Sequence, residues 1–180
     1  MRAIVDAIAS GALAGSARIV ISNNADSPAL LSFGDKTWKN YTVELEAQKT
    51  DGDEGFLIAV RMQDPQNLVW FNVGGWGNTR TAFEFADGDN GKTDFGDQQT
   101  YGDFQEVVTG KWHKIKVVVN GNKIEGFLDG KSACKFDAPS MTGGAVAVGT
   151  WSTQAKFRNI KVTSPEGKVL WEGFAVPAAK

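Results

Sequence analysis

Asn67-Leu-Val-Trp-Phe-Asn-Val-Gly-Gly-Trp-Gly-Asn-Thr-Arg-Thr-Ala-Phe-Glu84 reads as a strand, a glycine turn and the start of a returning strand. Side chains alternate across a strand, so Leu68, Trp70 and Asn72 share one face, and Val69, Phe71 and Val73 share the other. The second set is wholly apolar and is predicted to face a core. The first ends in a planar aromatic and an amide, a costly pair for a dry interior without hydrogen-bond partners. Gly74, Gly75 and Gly77 permit a sharp turn that presents Trp76 outward. Arg80 and Glu84 follow at even spacing on the returning strand. Aromatics interleaved with a guanidinium, amides and a carboxylate offer a sugar ring both a stacking surface and hydroxyl partners. This hairpin is therefore the predicted ligand face.

Outward from the hairpin, the chain alternates in the same way. Tyr41–Lys49 places Tyr41, Val43, Leu45 and Ala47 on one side and Thr42, Glu44, Glu46 and Gln48 on the other. Gly55–Gln63 places Phe56, Ile58, Val60 and Met62 inward and Leu57, Ala59, Arg61 and Gln63 opposite. Asn120-Gly121 predicts a tight hairpin between Lys111–Val119 and Asn122–Asp129. Asp129-Gly130 turns into Lys131–Phe136, and strands are expected at Gly144–Trp151, Ala155–Thr163 and Lys168–Trp171. Many short strands with Gly and Asn turns, and no helical periods between them, predict an all-β protein. The predicted architecture is a two-sheet antiparallel β-sandwich.

The totals set limits. A chain of 180 residues suits one domain with a substantial core. A net charge of -2 gives no electrostatic case for nucleic acid or an anionic membrane as partner. No apolar run approaches the ~20 residues that span a bilayer. The single cysteine, Cys134, has no internal disulfide partner, and the single histidine, His113, excludes any mechanism needing two.

Residues 1–31 have a different character. Arg2–Leu13 is Ala-rich with Ile4 and Ile8 at helical spacing, so a short N-terminal helix is predicted, followed by a strand at Ala17–Ser22. A secretory signal is the competing reading, and Asp6 within the apolar stretch argues against it. Ala3-Ile-Val-Asp-Ala-Ile8 and Val20-Ile-Ser-Asn-Asn-Ala-Asp-Ser-Pro-Ala-Leu30 resemble a helix–strand fragment of glycinamide ribonucleotide formyltransferase. That resemblance implies a foreign or fused segment at 1–31 ahead of a jelly-roll domain at 32–176. It brings no formyl transfer, because the family's Asn-x-His has no counterpart.

A second resemblance covers Gly34 to Trp171. Gly34-Asp-Lys-Thr-Trp-Lys-Asn-Tyr-Thr-Val43, Glu54-Gly-Phe-Leu-Ile-Ala-Val-Arg61, Trp70-Phe-Asn-Val-Gly-Gly-Trp-Gly-Asn-Thr79, Gly110-Lys-Trp-His-Lys-Ile-Lys-Val117 and Phe157-Arg-Asn-Ile-Lys-Val162 carry it. These stretches resemble concanavalin A-like jelly-roll modules, in particular the non-catalytic module that accompanies bacterial α-L-arabinofuranosidases. The resemblance implies an extracellular or periplasmic parent family and a carbohydrate-binding module for a plant or microbial polysaccharide.

The candidate ligand residues are Arg61, Gln63, Trp70, Asn72, Trp76, Asn78, Arg80 and Glu84, with Trp151 as a further aromatic. Pairing of the two strands is expected to bring Arg61 and Asn72 onto one sheet surface. The alternative function is a small glycoside hydrolase on the same fold, for which Glu44 and Glu46 are the carboxylates sharing a strand face. A Glu-x-Asp-x-x-Glu pattern is absent around them. Cys134 and His113 are distant in sequence, and no Gly-x-Ser-x-Gly elbow is present. No organic cofactor is called for. A structural calcium ion is the one metal suggested, through the hard oxygens of Asp87 and Asp89 in Asp87-Gly-Asp-Asn-Gly. Asp-Gly is equally ordinary turn chemistry.

Overall fold

The computed structural model describes residues 4–8, 18–23, 28–87, 99–138 and 141–173. Within them, β-strands build two antiparallel sheets. One has eight strands, in the order β1 (Ile4–Ile8), β2 (Arg18–Asn23), β13 (Thr153–Thr163), β4 (Tyr41–Gly52), β9 (Trp112–Asn120), β10 (Lys123–Leu128) and β11 (Lys131–Asp137), with β14 (Val169–Glu172) beside β2 on the same edge of β13. The other has six: β3 (Ala29–Phe33), β12 (Ala145–Thr150), β5 (Phe56–Asp64), β6 (Asn67–Gly74), β7 (Arg80–Asp87) and β8 (Gln99–Tyr101). The predicted all-β jelly-roll sandwich is the fold.

The expected N-terminal helix is not formed at 4–8. Ile4–Ile8 is a strand paired with β2, from Ile4↔Ser22 to Ile8↔Arg18, and β2 pairs with β13. Helix propensity is a weak prior, and pairing onto an open sheet edge overrides it here. Ile19 and Ile21 of β2 are buried in the main core.

That core lies between the sheets and follows the period-2 pattern. Tyr41, Val43, Leu45 and Ala47 meet Phe56, Ile58 and Val60 and also Val69, Phe71 and Val73. Phe71 stacks on Phe83 with centroids 4.9 Å apart, and Phe56 meets Phe157 edge-on at 6.1 Å. Gly126 admits this packing, because a Cβ there would lie 2.5 Å from the Phe71 ring. On the far face of the six-stranded sheet, Leu57, Ala59, Met62, Leu68, Trp70 and Ala147 form a second buried apolar cluster.

Arg61 and Met62 exchange the faces that alternation assigns them. Arg61 sits in the left-handed region at φ 52°, at a register break between Val60↔Val69 and Asp64↔Asn67. Opposite β12, where Ala59↔Ala147 is followed by Met62↔Ala145, the bulge adds one residue to β5 and inverts the parity at Met62. Met62 joins the far-face cluster, and the Arg61 guanidinium turns inward to the carbonyls of Gly121 and Ala138. The Arg61 N–H donates to the Tyr41 hydroxyl at 2.8 Å, and burial pushes that phenol well above its ordinary range. The tight-turn predictions hold with a shift of one residue in one case. Asn120 pairs with Lys123, leaving Gly121-Asn122 as the loop, whereas Asp129 and Gly130 take φ 49° and 82° between paired Leu128 and Lys131.

Candidate functional site: the hairpin rim

The β5–β6 register runs from Phe56↔Val73 at one end of the sheet to Asp64↔Asn67 at the other. The Gly75–Asn78 turn, Glu54 and Gly55 therefore gather at the first end, and Gln63 lies at the opposite one. Gln63 is spent there: its amide donates to the carbonyls of Gly143 at 2.8 Å and Lys36 at 3.2 Å. Arg61 does not share a surface with Asn72, because the bulge withdraws it and places Leu57 opposite Asn72.

Trp70, Asn72 and Glu84 do lie together on the outer face of β6 and β7. Trp70 and Glu84 are direct cross-strand neighbours, and the Asn72 amide donates to Glu84 Oε2 at 3.0 Å. Gly75 is required by this arrangement, since a Cβ on it would fall 2.5 Å from the Asn72 amide nitrogen. Trp70 is only 2% exposed, Asn72 8% and Glu84 7%, and half-buried Trp151 packs against the same cluster. These groups form a buried floor rather than an open stacking surface.

The accessible aromatic surface is one step away, on the rim. Trp76 is half-buried, Arg80 is exposed and Tyr101 of β8 is 50% exposed. The Trp76 and Tyr101 rings lie 5.5 Å apart at 55°, and the Arg80 guanidinium carbon is 5.8 Å from the first centroid and 5.3 Å from the second. Arg80 also donates to the Tyr101 hydroxyl at 3.4 Å. Two aromatics and a shared cation thus make one amphipathic surface.

Backbone conformation presents this surface. Gly74, Trp76, Gly77 and Asn78 all have positive φ, at 69°, 52°, 69° and 59°. A left-handed Trp is rare and strained, and persists only where its surroundings over-determine it. Asn78 is one restraint. Its amide accepts the Val107 N–H and donates to the Val107 carbonyl, both at 3.0 Å. Thr79 adds two more, through its N–H to the Gly75 carbonyl at 3.0 Å and its hydroxyl to the Trp76 carbonyl at 2.8 Å. Asn78 is therefore a clamp for the turn, with both ends of its amide engaged.

The clamp is anchored in turn by His113. Its Nε2 accepts the Val108 N–H at 3.1 Å, which places the ring proton on Nδ1, 3.0 Å from Asp129 Oδ2. Burial acts to raise the Asp129 carboxyl, but hydrogen bonds from Lys111, the Lys114 N–H and His113 outweigh it and hold the group below its usual range. Buried His113 is thus structural. Cys134 is buried beside the Thr100 carbonyl, where burial pushes its thiol up, so it is no activated nucleophile.

Glu44 and Glu46 lie on the outer face of the other sheet. Glu46 accepts from Arg158 Nε at 2.6 Å, and Arg158 in turn covers the Trp112 ring at 3.8 Å. With Lys114, Lys116 and Phe127 the two glutamates line a cleft of about 290 Å³. Of the calcium candidates, Asp89 lies outside the described residues, and Asp87 is described only as the backbone end of β7. Among the described residues no cluster of three or more His, Cys, Asp or Glu could hold a metal.

One member of the rim escapes a reading of the sequence. Tyr101 sits in a polar segment with little alternation, so nothing marks its strand.

Comparison with known proteins bears on the family and the fold. The chain is 35% identical over 112 residues to an extracellular exo-alpha-L-arabinofuranosidase of Streptomyces chartreusis, a match covering 62% of this chain and 13% of that enzyme. The carbohydrate-binding module CBM66 of Bacillus subtilis superposes with a TM-score of 0.59 at 14% identity, over 91% of this chain and 92% of that one. Caenorhabditis elegans galectin LEC-6 does so with 0.53 at 16% identity, over 76% and 92%. At such identities the two structures establish the jelly-roll fold alone. The family description "3-keto-alpha-glucoside-1,2-lyase-like domain" matches residues 7–163. That match begins inside the segment expected to derive from a formyltransferase, and β1 and β2 are antiparallel members of the sandwich rather than part of a doubly wound sheet. The formyltransferase likeness finds no support, and the chain belongs to the 3-keto-alpha-glucoside-1,2-lyase-like domain family.

Proposed function

We propose that the protein is a saccharide-binding jelly-roll module that holds a sugar ring against the Trp76–Tyr101–Arg80 rim. The observation that carries this reading is half-buried Trp76 beside exposed Tyr101 under one guanidinium, on a turn strained into position. A sugar's C–H face would stack on the rings, and Arg80 would donate to its hydroxyls. The ligand class is an oligosaccharide or polysaccharide of plant or microbial origin. Support comes from the names of its relatives: one is an arabinofuranosidase, and two proteins of the same fold are a carbohydrate-binding module and a galectin.

Hydrolysis has less behind it. A glycosidase needs two carboxylates about 5–10 Å apart across the scissile bond. Glu46 is tied to Arg158, on the sheet opposite the rim, and Glu84 is hydrogen-bonded by Asn72 within a buried floor. An immobilised-glycan array tests the binding reading. Retention on at least one plant or microbial polysaccharide, arabinan being the first to try, is expected; no retention on any glycan would contradict it.

A further inference from the structure

We propose that the cleft on the outer face of the eight-stranded sheet is a second ligand site, independent of the rim, and that it takes an acidic sugar by the carboxylate of a uronic acid. The cleft holds about 290 Å³, at the small end of ligand pockets, which suits one sugar ring rather than a long chain threaded through it. Two departures from regular sheet bound it. β13 spends three residues where β4 spends two, since Arg158↔Glu46 is followed by Lys161↔Glu44, and Asn159 within this bulge takes φ 53°. On the other side lie Phe127 of β10, paired with Lys116, and Gly130 of the Asp129-Gly130 turn.

The charges here are arranged unlike those of an ordinary solvated sheet face, where opposite charges on paired residues satisfy one another. Glu46 is opposite Lys114, but Arg158 holds it at 2.6 Å from the strand on its other side. Glu44 is opposite Lys116, yet the Lys116 ammonium sits over the Phe127 ring, 4.5 Å from its centroid. Among the described residues, neither Lys114 nor Lys116 forms an ion pair. The cleft with its neighbour Arg158 thus carries three cations against two carboxylates, and both unpaired ammonium groups stand on one face of β9. An anion completes the balance.

The remaining lining selects the kind of anion. A carboxylate accepts charge-assisted hydrogen bonds from the two lysines. A bare phosphate would also meet Glu44, which can only accept, whereas a ligand with hydroxyls beside its carboxylate donates to Glu44 and to the Asn159 amide oxygen. Half-buried Phe127 offers an apolar ring to a C–H face. A sugar acid brings all three groups together.

The test is a backbone-amide NMR titration of the full chain at about 0.15 M salt, where screening over ~8 Å damps diffuse attraction. The probes are galacturonic acid, trigalacturonate, inorganic phosphate and a neutral arabino-oligosaccharide. The two uronates separate the two sources, a free sugar acid and a uronate within a polysaccharide, and saturable shifts at Glu44–Glu46 and Lys114–Lys116 with either support the site. Gly74–Arg80 should stay unmoved. Lys114 is exposed and Lys116 half-buried, so Lys114→Gln combined with Lys116→Gln is expected to fold and to bind uronate at least about tenfold more weakly. Trp76→Ala should bind uronate as the wild type does. No saturable shift in the cleft with either uronate, uronate shifts confined to Gly74–Arg80, or undiminished affinity in the lysine double variant would each overturn the site. Phosphate or the neutral oligosaccharide shifting the cleft as strongly as the uronates would overturn its selectivity for a sugar acid. The rim is read separately, because the neutral oligosaccharide should shift Trp76 whether or not the cleft binds.

Discussion

Replacing Trp70 with alanine is expected to destabilise the fold by about 3–5 kcal/mol, the usual loss for a large aromatic removed from a core. Trp70 is the largest fully buried side chain and packs with Leu57, Leu68 and Met62 on the far face of the six-stranded sheet. Its strand neighbours there are small: Ala59 pairs with it, and Ala147 pairs with Ala59. Small side chains held on a sheet cannot collapse into the vacated volume, so the cavity persists. Chemical denaturation should report the whole loss as a lowered midpoint with an unchanged slope. Trp70→Phe should recover most of it. A Trp70→Ala loss below about 1 kcal/mol would mean that this face is not a packed second core.

The opposite behaviour is expected six residues on. Trp76→Ala combined with Arg80→Ala should leave stability within about 1 kcal/mol of wild type, because both side chains lie on the rim, outside the two buried clusters, and meet each other and Tyr101 there. Saccharide affinity should collapse. Stacking that covers about 60–80 Å² of apolar surface contributes roughly 1.5–2 kcal/mol. A hydrogen bond from a charged donor adds about 1.5–3 kcal/mol. Together these correspond to roughly 10²–10⁴-fold, beyond what an affinity gel detects as retention. Two tryptophans of one hairpin thus separate stability from binding, and exchanged phenotypes would invert the account.

Much of this is legible in the residues. Alternation in Tyr41–Lys49 and in Val69–Val73 names the inward faces correctly, because unbroken strands obey a period of two. Asp129-Gly130 signals its turn through residues that tolerate positive φ. What stays hidden involves long-range or backbone events. The bulge at Arg61 reverses parity by one residue, and no side chain in Val60-Arg-Met-Gln63 announces it; Gly144 permits it, since a Cβ there would lie 2.1 Å from the Arg61 carbonyl carbon. The Ala-rich start reads as helix in isolation and becomes strand once an edge is available for pairing. Trp70 and Trp76 look alike in sequence, each with an asparagine two residues on, Asn72 and Asn78. Their burial differs because one lies within the sheet and the other on a turn clamped through Asn78, Val107 and His113, partners 29 to 35 positions further along the chain from the clamp.

Titrating the protein with the retained oligosaccharide, while following the six tryptophan indole N–H resonances assigned by single substitution, tests the central claim most directly. The Trp76 resonance is expected to shift in proportion to occupancy, with Trp38, Trp112 and Trp171 unmoved and Trp70 changing little. Saturable binding that leaves Trp76 in place, or moves Trp112 on the opposite sheet instead, would contradict it.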